Sequence, residues 1–507
     1  MYFAHINLQQ QAAQRPDWPC IIEAETGQVI TYQQFFVAVQ RLRQVLGETP
    51  RCIALLLPGG IVDAVIWLAA LTGGHTLVPL APNASSDERA RAVALYMPDM
   101  LVVEQLEDIH TFTLPADQFT TLLHEECGAL IKEAITKANL SILPFKEGSV
   151  CLMTSGTTGE PKGVVLHEHQ IAWTAEHIRA SHQLRPADRG LTTLPFFHVN
   201  APVVSLCASL MAGSTVVIAQ KFSRTHFWAW VERYRITWAS IVPAIAEILL
   251  TTERPAFLPG TVRFFRTGSS SLPAATMTAF EAKFGIPLIE TYGLSEAASE
   301  VTGNPLPPGK HKAGSAGLPV SISLRICSPA TDDDAELHDV PQGEAGEICI
   351  SGPNVISAYH GNADAGSFHD GWFRTGDLGY QDEEGYLYIT GRLREVIIRG
   401  GENIAPREIE EILQTHPAVR ASAVVGRPDP IYGEQVVAFI VPRKEWSAEL
   451  MQSLHDYAAQ KLSAHKVPAD FIVTATLPRN ATGKIERHVL REQAAQQIQT
   501  AHNSIRQ

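Results

Sequence analysis

Apolar residues occur along this chain in two kinds of segment, and the way these alternate predicts the fold class. Cys52–Leu57 and Thr76–Val78 are short apolar runs, which are typical of buried strands. Val62–Leu71 lies between them, has the length of a helix and is followed by Gly73 and Gly74. Because strand and helix patterns keep alternating, we predict an α/β protein whose mostly parallel sheets are covered by helices.

A capping box predicts where one early helix begins. Thr31 is followed three residues later by Gln34, so each side chain can pair with the backbone N–H of the other residue. Four apolar residues then recur at helical spacing: Phe35, Val39, Leu42 and Leu46.

The pattern changes after residue 391, where we predict a domain boundary. A charged stretch, Gly391–Glu395, precedes the apolar run Val396–Ile398 and a helix that Pro406 opens. We expect residues 1–391 to form a large N-terminal α/β domain and residues 392–507 a small α+β domain. The segment Leu477–Lys484 is predicted to be a loop within the small domain.

One segment carries an unusual density of hydrogen-bond donors. Thr154–Gly163 reads TSGTTGEPKG and lies between two apolar runs, Val150–Met153 and Val164–Leu166, which predict a loop held between two strands. Glycine backbones, hydroxyls and a lysine suit a polyphosphate. The alternative is a flexible surface turn. The segment is not a Walker loop, because Pro161 stands where that motif requires its second glycine.

Composition narrows the class of partner. The chain has 507 residues and a net charge of −13, which disfavours nucleic acid or an anionic membrane as the main partner. Its seven cysteines lack metal or disulfide spacing, so we expect buried thiols in a reducing compartment. With no signal-peptide pattern and no long apolar run, we expect a cytoplasmic enzyme without stable membrane insertion, monomeric or homodimeric.

Two further motifs contain a carboxylate. Thr291–Glu296 follows a predicted strand, Leu288–Glu290, and could place Tyr292 on a purine, Ser295 on phosphate and Glu296 on Mg²⁺. A buried tyrosine and an ordinary acidic helix start are the alternative.

The second motif is Trp372–Gly379, in which Asp377 is predicted to sit in a glycine-bracketed turn. Its two carboxylate oxygens suit a vicinal diol such as ribose, whereas an Asx turn is the structural alternative. Arg392 would add a planar cation over ribose or phosphate, or else form a linker salt bridge.

Taken in order, these motifs resemble the adenylate-forming superfamily of acyl-CoA and aryl-CoA synthetases, luciferases and peptide-synthetase adenylation domains. The segment around Lys221–Pro308 is most similar to oxalate–CoA ligases. The resemblance implies a large domain of stacked sheets, a small and mobile C-terminal domain, and ATP, Mg²⁺ and a thiol acceptor as ligands. It implies that Lys484, in the LPRNATGKIER segment, reaches the carboxylate and the α-phosphate, and that Arg394 is the hinge.

The same resemblance implies a role for the remaining site residues. Predicted ATP and phosphate ligands are Thr154, Ser155, Gly156, Thr157, Thr158, Lys162, Tyr292, Gly293, Ser295, Asp377 and Arg392. The acid pocket is predicted to comprise His198, which also gates the carboxylate site, and Asn200, Gly268, Ser269, Ser270 and Ser299. Gly400 and Gly401 are expected to line the thiol channel, although a simple tight turn is equally compatible with the two glycines.

The acid and its acceptor are less well specified. Asn200 and Ser299 stand where the oxalate ligases usually carry histidines, which disfavours a doubly charged substrate, so we expect a small or medium acyl acid. The acceptor is coenzyme A or the phosphopantetheine arm of a carrier protein. A luciferase-like oxygenase and a non-catalytic nucleotide-binding protein are the alternatives from other classes.

Overall fold

Two mostly parallel sheets form the core of the first of two structural units in a computed structural model of the chain. The structure describes residues 3–105, 120–136, 142–155, 161–255, 260–329, 336–362, 365–443, 445–479 and 484–505. The first unit comprises residues 1–272, 276–324 and 350–373, and the second comprises residues 273–275, 325–349 and 374–507. The predicted boundary at residue 391 stays a prediction.

Helices and strands alternate along the chain, and in the first unit they do so as the sequence predicts. The helices are α1 (Phe3–Gln14), α2 (Tyr32–Leu46), α3 (Ile61–Gly73), α4 (Ser86–Tyr96), α5 (His124–Thr136), α6 (Glu168–Ser181), α7 (Ala208–Ala212), α8 (Phe227–Arg233), α9 (Pro243–Leu250), α10 (Ala274–Phe284), α11 (Pro406–Gln414), α12 (Ala448–Lys461) and α13 (Arg487–Ile505).

The strands are β1 (Pro19–Glu23), β2 (Val29–Thr31), β3 (Cys52–Leu56), β4 (Thr76–Pro79), β5 (Met100–Val103), β6 (Thr120–Leu123), β7 (Ser149–Ser155), β8 (Pro161–His167), β9 (Arg189–Thr192), β10 (Thr215–Ile218), β11 (Trp238–Ile241), β12 (Phe264–Thr267), β13 (Leu288–Leu294), β14 (Ser299–Gly303), β15 (Leu318–Pro319), β16 (Ser323–Cys327), β17 (Gly346–Ser351), β18 (Phe368–His369), β19 (Trp372–Gln381), β20 (Leu387–Arg392), β21 (Ile397–Arg399), β22 (Glu402–Ile404), β23 (Val419–Asp429), β24 (Gly433–Pro442) and β25 (Asp470–Val473).

The larger sheet has nine strands in the order β15-β14-β13-β12-β11-β9-β10-β1-β2. Its six central strands, β13 to β1 in that order, are parallel, whereas β2, β14 and β15 pair antiparallel at the edges. Because parallel strands point their carboxyl ends to one edge, the residues that follow β9, β12 and β13 meet at that edge. These are the segments that carry the predicted acid pocket and the Tyr292 motif.

The second sheet has the order β6-β5-β3-β4-β7-β8 and is parallel except for the β7–β8 hairpin. The predicted capping box is present at the start of α2, a helix that packs against α3 and α5: Thr31 Oγ1 accepts from Gln34 N, and Gln34 Oε1 accepts from Thr31 N. The four apolar residues predicted for α2 are buried, so the helix packs as its spacing indicated.

Two five-stranded sheets complete the fold. One has the order β16-β17-β19-β18, with β20 paired to β19; the other has the order β22-β21-β24-β23, with β25 paired to β24. Helix α11 begins with Pro406 at its first turn and buries Ile409 and Leu413 in the core of the second of these sheets, as its spacing predicts. The expected α/β architecture with a small C-terminal α+β part is confirmed.

All seven cysteines are free, and six of them are buried. Within the described residues, the helices are too short or too polar to cross a lipid bilayer.

Candidate active site

The β7–β8 hairpin carries the predicted phosphate loop. Thr154 pairs with Lys162 and Ser155 with Pro161, so the two strands hold both ends of the loop, as the flanking apolar runs predicted. Gly156, Thr157 and Thr158 lie outside the described residues, as do the side chains of Thr154 and Ser155. Their phosphate contacts remain predictions. Lys162 is described and is the second residue of β8.

Tyr359 joins two predicted functional groups that lie far apart in sequence. The Lys162 ammonium sits 5.0 Å from the centre of the Tyr359 ring, and the Tyr359 hydroxyl donates to Glu296 Oε1 at 2.9 Å. A cation over an aromatic face gains roughly 0.5–2 kcal/mol. The structure therefore brings the lysine of the predicted phosphate loop to the face of one buried ring and the predicted magnesium carboxylate to its hydroxyl.

Sequence analysis missed Tyr359. Tyr359 lies in an irregular stretch whose residues follow neither a helical nor a strand period. Its role is revealed only by its closeness in space to both motifs. Gly163 confirms how closely the segment packs, because a Cβ there would lie 2.8 Å from His360 Cβ.

The residues before Tyr359 fix the turn that carries Glu296. Ile356 N donates to Glu296 O at 2.9 Å, and the buried Asn354 Nδ2 donates to Ala297 O at 2.8 Å. Gln170 on α6 holds Val355 O at 3.1 Å from the other side. These hydrogen bonds fix the backbone of the turn and so position the Glu296 carboxylate.

The strand that carries the Tyr292 motif is longer than predicted. We expected it to end at Glu290, but β13 continues to Leu294 because β14 pairs with its extension. Tyr292 is consequently a buried strand residue, and Ser295 and Glu296 begin a short 3-10 turn. Gly293 is dictated by packing, since a Cβ there would lie 1.4 Å from Ser299 O.

Glu296 fits a site in which a single protein carboxylate binds a magnesium ion. Among the residues that the structure describes, no group of three acidic, histidine or cysteine side chains is arranged to hold a metal. Mg²⁺ in nucleotide sites is usually held by one or two carboxylates, with phosphate oxygens and water completing the octahedron. A half-buried carboxylate beside the phosphate loop meets that requirement.

Asp377 and Arg392, both predicted to bind the nucleotide, form an ion pair with each other. They face each other across β19 and β20, with Arg392 Nε 2.8 Å from Asp377 Oδ1. The predicted turn around Asp377 is wrong, because the residue lies within β19, where β20 extends the sheet. The pairing brings together the two residues predicted for ribose, with Asp377 buried and Arg392 partly exposed.

The predicted acid-pocket residues lie at the carboxyl edge of the nine-stranded sheet. His198 is half-exposed, with its ring 5.1 Å from that of Phe197. Asn200 begins a π-helical segment, Asn200–Cys207, of a kind often found at functional sites.

Backbone strain accumulates at the same edge. Ser269 has φ +69° and Ser299 has φ +113°, which place two non-glycine pocket residues in the left-handed half of backbone space; Ala298, next to Ser299, has φ +53°. Such conformations persist only where surrounding contacts impose them, and they concentrate at binding sites. The strain gives independent support to this edge as a site.

Behind these pocket residues lies a buried cation that sequence analysis missed. Arg266, on β12, forms an ion pair with Glu300 at 3.0 Å and donates to Thr291 Oγ1. Its other amino group donates to Ser240 Oγ at 3.3 Å and to Asn200 Oδ1 at 3.5 Å. An arginine in an otherwise apolar strand was the signal that could have revealed it.

The C-terminal unit holds the remaining predicted residues. Lys484 is exposed, immediately before the bridge that Ile485 makes with Arg479; residues 480–483 of its loop lie outside the described part of the chain. Arg394 lies in a 3-10 turn and its carbonyl accepts from Arg491. Their roles stay predictions.

Gly400 and Gly401 form the two-residue turn between β21 and β22. Both have positive φ, +62° and +87°, which a tight hairpin of this length requires. The turn geometry therefore accounts for both glycines without a ligand, and their predicted place in a thiol channel stays a prediction.

Comparison with known proteins identifies the family of this chain. The chain matches the AMP-binding enzyme family over residues 8–360 and the AMP-binding enzyme C-terminal domain over residues 408–484. The chain belongs to the AMP-binding enzyme family. It is an adenylate-forming enzyme of the acid–thiol ligase class, which confirms the prediction at that level; ATP, Mg²⁺ and coenzyme A are the ligands of this class.

Three curated relatives are CoA ligases. The chain is 35% identical to sulfoacetate–CoA ligase of Cupriavidus necator, covering 94% of this chain and 95% of the relative. It is 39% identical to indoleacetate–CoA ligase of Aromatoleum aromaticum (92% and 93% covered) and 38% identical to oxalate–CoA ligase of Arabidopsis thaliana (68% and 67%). The predicted likeness to oxalate–CoA ligases is thus confirmed.

A solved structure shares the fold. O-succinylbenzoate coenzyme A synthetase from Bacillus subtilis, in complex with ATP and magnesium ion, superimposes with a TM-score of 0.81 at 29% identity. The alignment covers 96% of this chain and 98% of that one.

Proposed function

We propose that this protein is an ATP-dependent carboxylate–CoA ligase. It activates a small or medium carboxylic acid as an acyl-adenylate, releasing pyrophosphate, and then transfers the acyl group to the thiol of coenzyme A. The observation that carries the proposal is the Lys162–Tyr359–Glu296 assembly, which joins a phosphate-loop cation to a magnesium carboxylate. The names of the relatives support coenzyme A as the acceptor.

The first half-reaction asks for charge compensation rather than proton transfer. A carboxylic acid with a reference pKa near ~4 is already ionised at pH 7, so its oxygen can attack the α-phosphorus without a general base. Two anions must then be brought together, and cations aimed at the reacting phosphates lower that cost. Lys162 supplies one such charge beside the loop.

Glu296 would hold the metal ion, which neutralises the phosphate oxygens of the leaving pyrophosphate. Tyr359 keeps the Glu296 carboxylate oriented, and the Asn354–Ile356 segment fixes its backbone. Asp377 and Arg392 would take the ribose, exchanging part of their ion pair for the two hydroxyls.

The C-terminal residues complete the proposal. Lys484 offsets the charge that builds at the α-phosphate, and Arg394 is the hinge about which the small domain turns before thioester formation. Gly400 and Gly401 then border the path of the pantetheine thiol. His198 gates the carboxylate, while Asn200, Ser269, Ser270 and Ser299 surround the acyl group.

A pyrophosphate-release assay over a panel of carboxylic acids tests this proposal directly. Pyrophosphate should form with at least one acid, and an acyl-CoA should accumulate when coenzyme A is added. Transfer to a phosphopantetheinylated carrier protein instead of coenzyme A would replace the proposed acceptor. Silence with every acid would leave only nucleotide binding.

Tyr359→Phe tests the assembly itself. The ring stays over Lys162, but the hydroxyl that holds Glu296 is lost, so the apparent affinity for Mg²⁺ in the ATP reaction should fall about fivefold, or roughly 1 kcal/mol. Initial rates over a Mg²⁺ titration measure it. Tyr457→Phe, which loses a surface hydroxyl contact with Thr415, is the matched control. An unchanged Mg²⁺ dependence would remove Tyr359 from the site.

A further inference from the structure

Glu300 cancels a buried positive charge directly behind the acid pocket. Arg266 and Glu300 are 2% and 1% exposed in their side chains, and their closest atoms lie 3.0 Å apart. Burial raises the pKa of the Glu300 carboxyl, and the Arg266 guanidinium and the Ser181 hydroxyl offset only part of that rise. With four side chains bonded to the guanidinium, we take both groups as charged, so that the pair has no net charge.

The pair lies against the wall of the predicted pocket. A Cβ added to Gly268 would lie 3.5 Å from Arg266 Nη2, Asn200 Oδ1 accepts from Nη1, and Ser299 precedes Glu300 in the chain. The guanidinium is thus one layer behind three predicted pocket residues. A bound acid would not touch it, but in a buried environment its charge would act across that layer.

The neighbouring histidine adds no charge. Ser181 Oγ lies 3.4 Å from Glu300 Oε1 and 2.9 Å from His182 Nδ1, which links the ring to the cluster. Burial, with the nearby arginines Arg266 and Arg263, holds the pKa of His182 well below its usual range, so the ring is neutral at pH 7.

The network also orients Asn200. Its Oδ1 accepts from Ser240 at 2.9 Å as well as from Arg266, so the amide oxygen is turned into the wall. The Nδ2 donor is the end of the amide turned away from the guanidinium. Such a donor suits a tail that accepts a hydrogen bond.

We propose that the Arg266–Glu300 pair makes the acid pocket selective for monocarboxylic acids with an uncharged tail, against acids that carry a second negative charge. Glu300 is the specificity-determining residue, because it withdraws the charge that would otherwise attract a second anion. The inference rests on the proposed ligase function.

The test compares acids of equal length that differ in one charge, such as butanoate with butanedioate and phenylacetate with 4-carboxyphenylacetate. The measured quantity is the ratio of kcat/KM for the monoacid to that for the diacid, in the coenzyme A-coupled reaction. The wild type should favour the monoacid by at least about tenfold. Preference for the diacid would overturn the proposal.

Glu300→Gln leaves the guanidinium uncompensated and should lower that ratio at least about tenfold. The double variant Arg266→Gln with Glu300→Gln removes both charges and should restore a ratio within about threefold of the wild type. If Glu300→Gln does not fold, the double variant still decides, because a ratio that moves to the diacid without any buried cation contradicts the mechanism.

Asp188→Asn is the matched control. It breaks the Arg263–Asp188 ion pair before the amino end of the same strand, β12, and should leave the ratio unchanged. A ratio that shifts equally in this control would show a general effect of destabilisation and overturn the assignment. If Glu300→Gln still forms acyl-CoA but its monoacid-to-diacid ratio is unchanged, this inference is wrong and the ligase function stands. If the wild type releases no pyrophosphate with any acid, the ligase function itself is wrong.

Discussion

Two arginine–carboxylate pairs in this protein have similar lengths but opposite exposure. Arg266 and Glu300 are both fully buried beneath the nine-stranded sheet's carboxyl edge, whereas Arg392 is 39% exposed and only its partner Asp377 is buried. In the first pair, both amino groups of the arginine also donate to hydroxyl or amide oxygens. The second faces solvent through its arginine.

This difference separates a fixed charge from an exchangeable one. Breaking a fully buried pair strands a charge without solvent and costs about 3–5 kcal/mol, while a partly exposed pair contributes about 0–1 kcal/mol. The Arg266–Glu300 pair therefore suits a permanent pocket wall. The Arg392–Asp377 pair suits the proposed ribose site, because little stability is lost when ribose hydroxyls replace one of its contacts.

The largest expected effect comes from removing the buried carboxylate. Glu300→Ala should lower the free energy of unfolding by about 3–5 kcal/mol, since Arg266 is left uncompensated. Urea unfolding measures it. Glu176→Ala, which removes a partly exposed pair with Arg179 on α6, should cost under about 1 kcal/mol. Equal losses in the two variants would erase the distinction drawn between buried and exposed pairs.

An exposed charge should show the reverse behaviour, affecting activity and not stability. Lys484→Ala should slow adenylate formation about 100- to 1,000-fold if, as proposed, its charge compensates that of the α-phosphate. Thioester formation from supplied acyl-adenylate should be much less affected. Lys461→Ala, an exposed lysine at the end of α12, is the control. Equal loss of both half-reactions would contradict the role of Lys484.

A buried carboxyl without an arginine provides the next test. Burial, with the nearby Glu104 and Glu23, raises the pKa of Asp63 to about 8 despite the bond from Gly59 N. The folded protein then keeps this proton up to about pH 8, whereas the unfolded chain releases it near pH ~4. Stability should consequently fall as pH rises between these values, by at most about 1.4 kcal/mol per unit.

Asp63→Asn should abolish that slope while keeping the acceptor for Gly59 N. The difference in unfolding free energy between wild type and variant, measured from pH 5 to pH 9, isolates the contribution. Asp87→Asn, at an exposed position in the first turn of α4, should retain the wild-type slope. Parallel pH profiles for wild type and Asp63→Asn would disprove the raised pKa.

The smallest expected effect is at the exchangeable pair. Asp377→Ala should raise the KM for ATP about tenfold through loss of a charged ribose acceptor, and should cost little stability because Arg392 can turn to solvent. Asp339→Ala, which removes a surface partner of Arg325, is the matched control. An unchanged KM would exclude Asp377 from the ribose site.

Local patterns predicted the elements whose stability is local. The capping box of α2, the Pro406 start of α11 and the two apolar runs around the phosphate loop were all confirmed, because each depends on neighbours within a few residues. The motif order likewise predicted the family. The same logic failed for β13 and β19, whose extent depends on pairing with a partner strand.

The sequence by itself determined the α/β class, the phosphate-loop hairpin and the candidate charges, since these follow from apolar period, turn residues and side-chain chemistry. Only the tertiary structure decided which charges meet: Tyr359 between Lys162 and Glu296, and Glu300 on Arg266 behind the pocket. The reason is that an electrostatic interaction depends on how far apart two charges lie and how deeply they are buried. For residues separated by many strands and helices, the periodicity of the sequence reveals neither quantity.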